Sequence, residues 1–350
     1  MSTPESLVAD VVAPHVLGLS IAGVPLEIVT NDADVWTALG LYYAPWVAGV
    51  SAPAARVRLV QGGLDARGRF TDLVRRDGKR VKEAVQDLPG GRLVLKRATG
   101  VVMGLWPGQA FAVGDLRANL NQAINLVNAC YAKLVLGRGH VLLHAAAVSR
   151  DGRAVVLAGP PGAGKSSAAL HLVDAGLRFV SNDRVLARVN GGRVEALGYP
   201  KQPRVNPGTL LGHPRLSELL KPEERARLEA MDPAARWDLE AKRDVDLDRI
   251  YGSGTVDLTA EMRALVLLRW SRDGRGLQVD RLTPPSALER LEVFRKDLGA
   301  FDLDRVPGGL PTVAEMAGYQ ALVAAVPVFE VTGRVDFRAL VGVTGALLAG

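Results

Sequence analysis

The sequence predicts an α/β protein with a smaller, mostly β N-terminal region, and three stretches carry that prediction. Residues 154–158 (AVVLA) are a short apolar run suited to a buried strand. A glycine-rich run leads from them into 166–175 (SSAALHLVDA), where Ala168, Leu172 and Ala175 fall on one side of a helix and Gly176 supplies its C-cap. Between about 16 and 116 the text is instead broken into short strand-like pieces by Gly-Gly, Asp-Gly and Pro-Gly pairs. From 116 to 136 apolar positions recur at helical spacing through Leu120, Ile124, Val127, Tyr131 and Leu134. These textures divide the chain into a β-rich region of unassigned role, 1–115, and an α/β domain, 116–350.

Taken in order, RVRLVQ (56–61), RLVLK (92–96) and VVMGLW (101–106) are the N-terminal strands. Trp36, Trp46 and Trp106 are expected in the core of that region. Arg75-Arg76 and Lys79-Arg80 flank Asp77-Gly78 and read as a solvated hairpin tip. After the helix, Val141-Leu142-Leu143 begins a strand and 177–181 forms another. Residues 185–189 and 193–197 pair as a hairpin about Asn190-Gly191-Gly192. A Pro-rich loop (199–209) precedes a charged stretch, 217–249, expected to be mainly helical and exposed. A core strand at 264–270, a helical segment, a strand near 326–331 and a final helix complete the order.

Composition narrows the function classes. With 350 residues, 48% hydrophobic and 23% charged, the chain has core material for two domains or one large domain with an added lobe. A net charge of +6 is mild for this length, and no Lys/Arg block is interleaved with aromatics, so no nucleic-acid partner is expected. The single cysteine, Cys130, excludes an internal disulfide and a cysteine-cluster zinc site, and it reads as buried packing. No basic, apolar leader is present and no run approaches the roughly 20 apolar residues of a membrane span. A cytoplasmic protein without a membrane partner is expected.

The run GPPGAGKSS at 159–167 satisfies G-x-x-x-x-G-K-[ST] at Gly159, Gly164, Lys165 and Ser166. Glycines let successive backbone N–H groups turn inward on an anion, and a following helix points its N-terminus at the same charge. Lysine adds a point charge for the β- and γ-phosphates, and the serine hydroxyl suits Mg²⁺. The pattern therefore predicts ATP or GTP binding by Gly159, Pro160, Pro161, Gly162, Ala163, Gly164, Lys165, Ser166 and Ser167. Such sites also need a carboxylate near the metal, and Asp183 closes the next strand. On its own residues His144, a lone histidine on an apolar strand, reads as structural. Lys242-Arg243 reads as surface at a helix end, and the Gly252/Gly254 turn has no partner motif.

His144 with Val148, the glycine run, and GLRFVSNDRV at 176–185 together resemble the catalytic domain of the HPr kinase/phosphorylase family, and more closely its HprK-related kinase B group. Those are bacterial serine kinases whose P-loop fold is related to phosphoenolpyruvate carboxykinase. The resemblance covers 140–190 well, the rest of the kinase domain loosely, and the N-terminal region not at all. It implies ATP at 159–167, Mg²⁺ near Ser166 and Asp183, and Asp183, Lys165 and His144 as catalytic residues. It further implies phosphate transfer to a serine of a small protein or peptide, and a homo-oligomer, since HPr kinases are hexamers.

The family's Asp-Asp-Arg-Val reads Asn182-Asp183-Arg184-Val185 here. The family's first aspartate takes the acceptor proton, which an amide cannot do. Three readings remain open: Asp183 does both tasks, a residue elsewhere supplies the base, with His144 one candidate, or the chain is a catalytically weak ATP-binding regulatory module. A small-molecule kinase of the same fold is a further alternative. Where the family carries a glycine-rich signature this chain has KQPRVNPGT, whose Lys201 and Arg204 either meet a phosphate or acidic acceptor or face solvent.

Overall fold

The computed structural model describes residue 8 and residues 10–63, 70–74, 81–239, 241–303 and 309–349; the basic turn about Asp77-Gly78 lies outside them. The chain is a mixed α/β protein with several sheets. Its contacts divide it into two units, Met1–Arg138 with Asp297–Pro311, and Gly139–Lys296 with Thr312–Gly350.

The first unit contains β1 (His15–Ile21), β2 (Val24–Thr30), α1 (Ala33–Tyr42), β3 (Ala55–Gln61), β4 (Thr71–Asp72), β5 (Glu83–Leu88), β6 (Gly91–Lys96), β7 (Val102–Trp106), β8 (Gln109–Gly114) and α2 (Leu120–Leu136). The strands join in one sheet, ordered β1-β2-β3-β8-β7-β6-β5-β4, parallel at β2/β3 and β3/β8. The sequence places the division near residue 116, whereas the contacts place it after Arg138. The reason is α2, whose buried stripe of Ile124, Val127 and Tyr131 packs with β2, β3 and β8. The Tyr43 hydroxyl, itself buried, donates to Asn128 Oδ1 at 3.0 Å and ties α1 to α2.

Cys130 is buried on α2, and burial pushes its thiol up to about 12, which keeps it protonated and inert. Trp36, 40% exposed, is not core and Trp46 is half-buried, while Trp106 is half-buried and packs against Val60, Leu93, Phe111 and Val113. An indole N–H needs a partner, and two of these reach outer backbone carbonyls: Trp36 Nε1 donates to Val16 and Trp106 Nε1 to Pro89. Leu19, Ile21, Leu26, Ile28 and Leu59 fill the interior instead. Arg92 holds the returning segment of this unit, donating to the Asp302 carbonyl, while Lys96 lies over the Phe301 ring at 4.6 Å.

The second unit begins with β9 (Val141–Leu143), β10 (Ala145–Arg150), β11 (Arg153–Ala158), α3 (Lys165–Asp174), β12 (Arg178–Ser181), β13 (Val185–Asn190), β14 (Arg193–Gly198), β15 (Arg204–Val205) and α4 (Pro207–Gly212). It continues with α5 (Pro222–Ala230), α6 (Pro233–Asp238), β16 (Arg243–Asp244), α7 (Leu247–Tyr251), β17 (Thr259–Leu268), β18 (Leu277–Leu282), α8 (Pro284–Leu288), α9 (Leu291–Phe294), α10 (Val313–Ala325), β19 (Val328–Gly333) and α11 (Phe337–Ala349). The main sheet runs β12-β10-β11-β17-β14-β13-β9, with β19 on β17 and β18 on β19. β11 is therefore central, antiparallel to β10 and parallel to β17.

Both faces of this sheet are covered, which explains the unbroken apolar run of β11. Val155 and Leu157 pack with Ala168 and Leu172 of α3 and Leu340 of α11. Val156 and Ala158 pack on the opposite side with Tyr319, Leu322 and Val323 of α10. The β13/β14 hairpin forms about Gly191 and Gly192, both at positive φ, as the glycine pair requires. The 217–249 stretch is less helical than its charge pattern suggests. Pro222 and Pro233 start two short helices there, and Leu228, Val245 and Leu247 are buried. β18, mostly exposed, with Asp280 and Arg281 its two charged residues of six, is found as a partner of β19.

Gly198 ends β14 where its backbone meets the strand-like stretch before Asn182: a Cβ there would lie 1.9 Å from the Val180 carbonyl oxygen. Gly198→Ala is expected to cost about 2–3 kcal/mol, seen as a melting temperature several degrees lower. A thermal melt matching wild type would contradict this close approach. Among the described residues no helix is long and apolar enough to cross a membrane.

Candidate active site

β11 delivers the chain to the glycine loop, and each glycine there has a separate steric cause. A Cβ on Gly159 would sit 2.8 Å from the Leu268 carbonyl oxygen, so only glycine lets the loop leave β11 beside β17. Gly162 and Gly164 have φ of 84° and 81°, the left-handed region. Gly164 is the N-cap of α3, and no side chain caps that helix. Its first-turn N–H groups thus open toward an anion. Trp270 Nε1 donates to the Ala163 carbonyl at 2.8 Å and braces the loop from behind.

Lys165 is buried and curls back on this loop, donating to the carbonyls of Gly159 (2.7 Å) and Pro160 (3.1 Å). Burial pushes its ammonium down to about 8, against the attraction of Asp183. An anion bound at the loop restores the proton. Above pH 8, nucleotide binding should therefore take up a proton and weaken as pH rises. Calorimetry in buffers of different ionisation enthalpy reads this directly, and binding without proton uptake at pH 9 would contradict it.

Ser166 donates its hydroxyl to Asn182 Oδ1 at 2.9 Å, joining α3 to the turn after β12. Ser167 meets Thr209 Oγ1 of α4 at 3.1 Å. The turn takes the left-handed region: Asp183 has φ of 70°, a conformation that glycine, asparagine and aspartate adopt more readily than other residues. Ser181, fully buried, over-determines that shape by donating to the Arg184 carbonyl and accepting from the Tyr199 amide at 3.0 Å.

This turn aims the Asp183 carboxylate at three cationic or ring nitrogens. Oδ2 accepts from Lys296 Nζ at 2.7 Å, Oδ1 lies 3.4 Å from His144 Nε2, and Arg184 Nε stands 3.9 Å from Oδ2. Burial works to raise its pKa, yet His144, Lys296 and Arg184 together hold the carboxyl well below the usual range. His144 gains from Asp183, but burial and the charges of Lys296 and Lys165 leave its pKa lowered overall.

The sequence-identified residues thus come together. His144, Pro161, Gly162, Gly164, Lys165, Ser166, Ser167, Asn182 and Asp183 line one cavity of about 630 Å³. Gly159, Pro160 and Ala163 belong to the same loop but shape it through their carbonyls and Cα positions. Lys201 and Arg204 also line the cavity. Lys242, read from sequence as surface at a helix end, lines it too, because 241–244 runs as extended chain into β16. Lys296 was not visible in the sequence: 113 positions separate it from Asp183, and no local motif marks it. Among the described residues no group of three or more His, Cys, Asp or Glu could hold a metal, so any cation here relies on mixed oxygen donors.

No protein-family model matches the sequence, and no curated protein matches it. Among solved structures the chain is similar to the Hpr(Ser) kinase/phosphatase from Coxiella burnetii, at 11% identity, covering 59% of this chain and 93% of that one, with a TM-score of 0.29. A likeness at that score assigns no activity to this chain.

Proposed function

We propose that the chain is an ATP-dependent phosphotransferase of the HPr kinase type, which passes the γ-phosphoryl group of ATP to a hydroxyl, a serine of a small protein or peptide. One observation carries the reading: an uncapped helix N-terminus, a buried loop lysine and a carboxylate–imidazole pair share one cavity. Phosphoryl transfer asks mainly for positioning and charge stabilisation, and this set supplies both.

In this reading the N–H groups at 162–167 and the Lys165 ammonium hold the phosphates. Ser166 Oγ and the Asp183 carboxylate are hard oxygen donors that fit Mg²⁺, which supplies charge neutralisation on the phosphates when bound. The acceptor oxygen bonds to the γ-phosphorus as the bond to the bridging oxygen breaks, and that electron pair leaves on ADP. The hydroxyl proton needs a base. Asn182 has none to offer, and Asp183 is too acidic to take it. His144 is the remaining candidate: its Nε2 faces Asp183 at 3.4 Å, which leaves Nδ1 as the acceptor. Transfer should therefore decline on acidification, with a midpoint below the ordinary imidazole value of about 6.5, and His144→Gln should lose that dependence. An acid limb unchanged in His144→Gln would remove the histidine from this role.

Asn182 supports a second reading, a regulatory ATP-binding module with little transfer. The separating experiment is transfer from γ-labelled ATP with Mg²⁺ into a lysate of the source organism, wild type beside Lys165→Ala. A labelled protein band dependent on Lys165 supports the kinase. Nucleotide binding without label in any protein or small molecule overturns it in favour of the module.

A further inference from the structure

The cavity that the glycine loop lines has a second wall outside the loop. It is built by 201–209 and by Lys242. β15 and β16 pair antiparallel, Arg204 with Asp244 and Val205 with Arg243, which brings the two stretches side by side. Arg204 donates to the Lys242 carbonyl at 3.1 Å and pairs with Asp244 at 3.1 Å. Behind them Val245 N–H donates to Pro203 O at 2.9 Å and Leu247 N–H to Gln202 Oε1 at 3.3 Å, with Val205, Val245 and Leu247 buried. The wall is a fixed ribbon with a packed back.

Its front is strongly one-signed. Lys165, Lys201, Arg204 and Lys242 line the cavity against a single lining carboxylate, Asp183, which already holds Lys296 and His144. Lys165 belongs with the loop, and Lys201, Arg204 and Lys242 line the wall, Arg204 being paired with Asp244. Like charges this close repel one another, and a bound anion relieves the repulsion. Burial and the neighbouring Arg184 disfavour the charge on Lys201, against the attraction of Asp183 and Asp244. Arg204 offers a planar fork and the lysines point charges, a combination suited to phosphate or carboxylate oxygens.

We infer that Lys201, Arg204 and Lys242 form an acceptor subsite, and that the phosphoryl acceptor is a hydroxyl compound bearing its own anionic group, a phosphate or carboxylate. The inference rests on the nucleotide reading of the loop. It narrows the substrate class: an acceptor serine or alcohol lacking an adjacent negative charge is a poor ligand.

The test uses the full chain saturated with Mg²⁺ and the non-transferring analogue AMP-PNP. Calorimetric titrations follow with 3-phosphoglycerate, with a serine peptide flanked by glutamates, and with the same peptide carrying glutamines. Saturable binding of an anionic probe and none of the neutral peptide is expected. The 3-phosphoglycerate and acidic-peptide arms distinguish a free small acceptor from a peptide-borne one. The double variant Lys201→Met/Lys242→Met should bind the anionic probe about tenfold or more weakly, with AMP-PNP affinity within about twofold of wild type. Anionic probes that fail to bind the loaded chain, or bind the double variant as well as wild type, overturn the subsite. A double variant that loses AMP-PNP in the same proportion also overturns it, since the wall would then serve the nucleotide. Wild type that does not bind AMP-PNP at all contradicts the nucleotide reading itself, and that is read before any anion is added.

Discussion

Lys165→Ala is expected to weaken Mg²⁺·ATP binding by about a hundredfold or more and to abolish transfer, while the melting temperature moves by only a few degrees. The first effect follows from losing a cation that hydrogen-bonds the phosphates, where each charge-assisted bond contributes about 1.5–3 kcal/mol. The second follows from where the ammonium sits. Among the described residues it bonds the Gly159 and Pro160 carbonyls, and burial already disfavours its charge. Removing it loses two contacts and relieves a desolvated cation, terms of opposite sign. A variant that unfolds, or that binds nucleotide as wild type does, would contradict this account of the loop.

Asp183→Asn carries the second large effect. Transfer should fall by about 10³-fold, since the carboxylate both orients His144 and offers charged oxygen to the metal. Asparagine tolerates the left-handed conformation of this position, φ 70°, so the fold should persist where alanine would add strain. His144 loses the one neighbour that raises its pKa, so residual activity should extend to lower pH. The pH profile of the residual rate is the check. An acid limb that stays in place, or a rate within tenfold of wild type, would mean that Asp183 does not act through His144.

The parts of the site legible in the sequence were those made by contiguous residues. Glycines at fixed offsets, a short apolar strand before them and a helix after them specify strand, loop and helix because each needs only its neighbours. The carboxylate at Asp183 followed from its place at the end of the next strand. Lys296 and Lys242 were not legible, because the order of strands in the sheet and the β15/β16 ribbon bring them in from far along the chain. Ser181 was passed over for a different reason: its task is to fix a turn, and a serine in an apolar strand carries no mark of that.

At the level of the fold, periodicity identified α2 but not what it covers. An apolar stripe on a helix specifies burial without specifying the sheet, so the division of the chain could not be read from it. Aromatic content misled in the same way. Trp36 satisfies its indole N–H at a surface carbonyl, and its size alone suggested an interior.

The most direct test of the central claim is an equilibrium titration of the wild-type chain with Mg²⁺·AMP-PNP, with adenosine and Lys165→Ala as controls. Saturable binding of one nucleotide per chain is predicted, with adenosine a far weaker ligand and the Lys165→Ala variant losing the interaction. Absence of binding to the wild-type chain, or equal binding by adenosine, would contradict a phosphate site at the glycine loop.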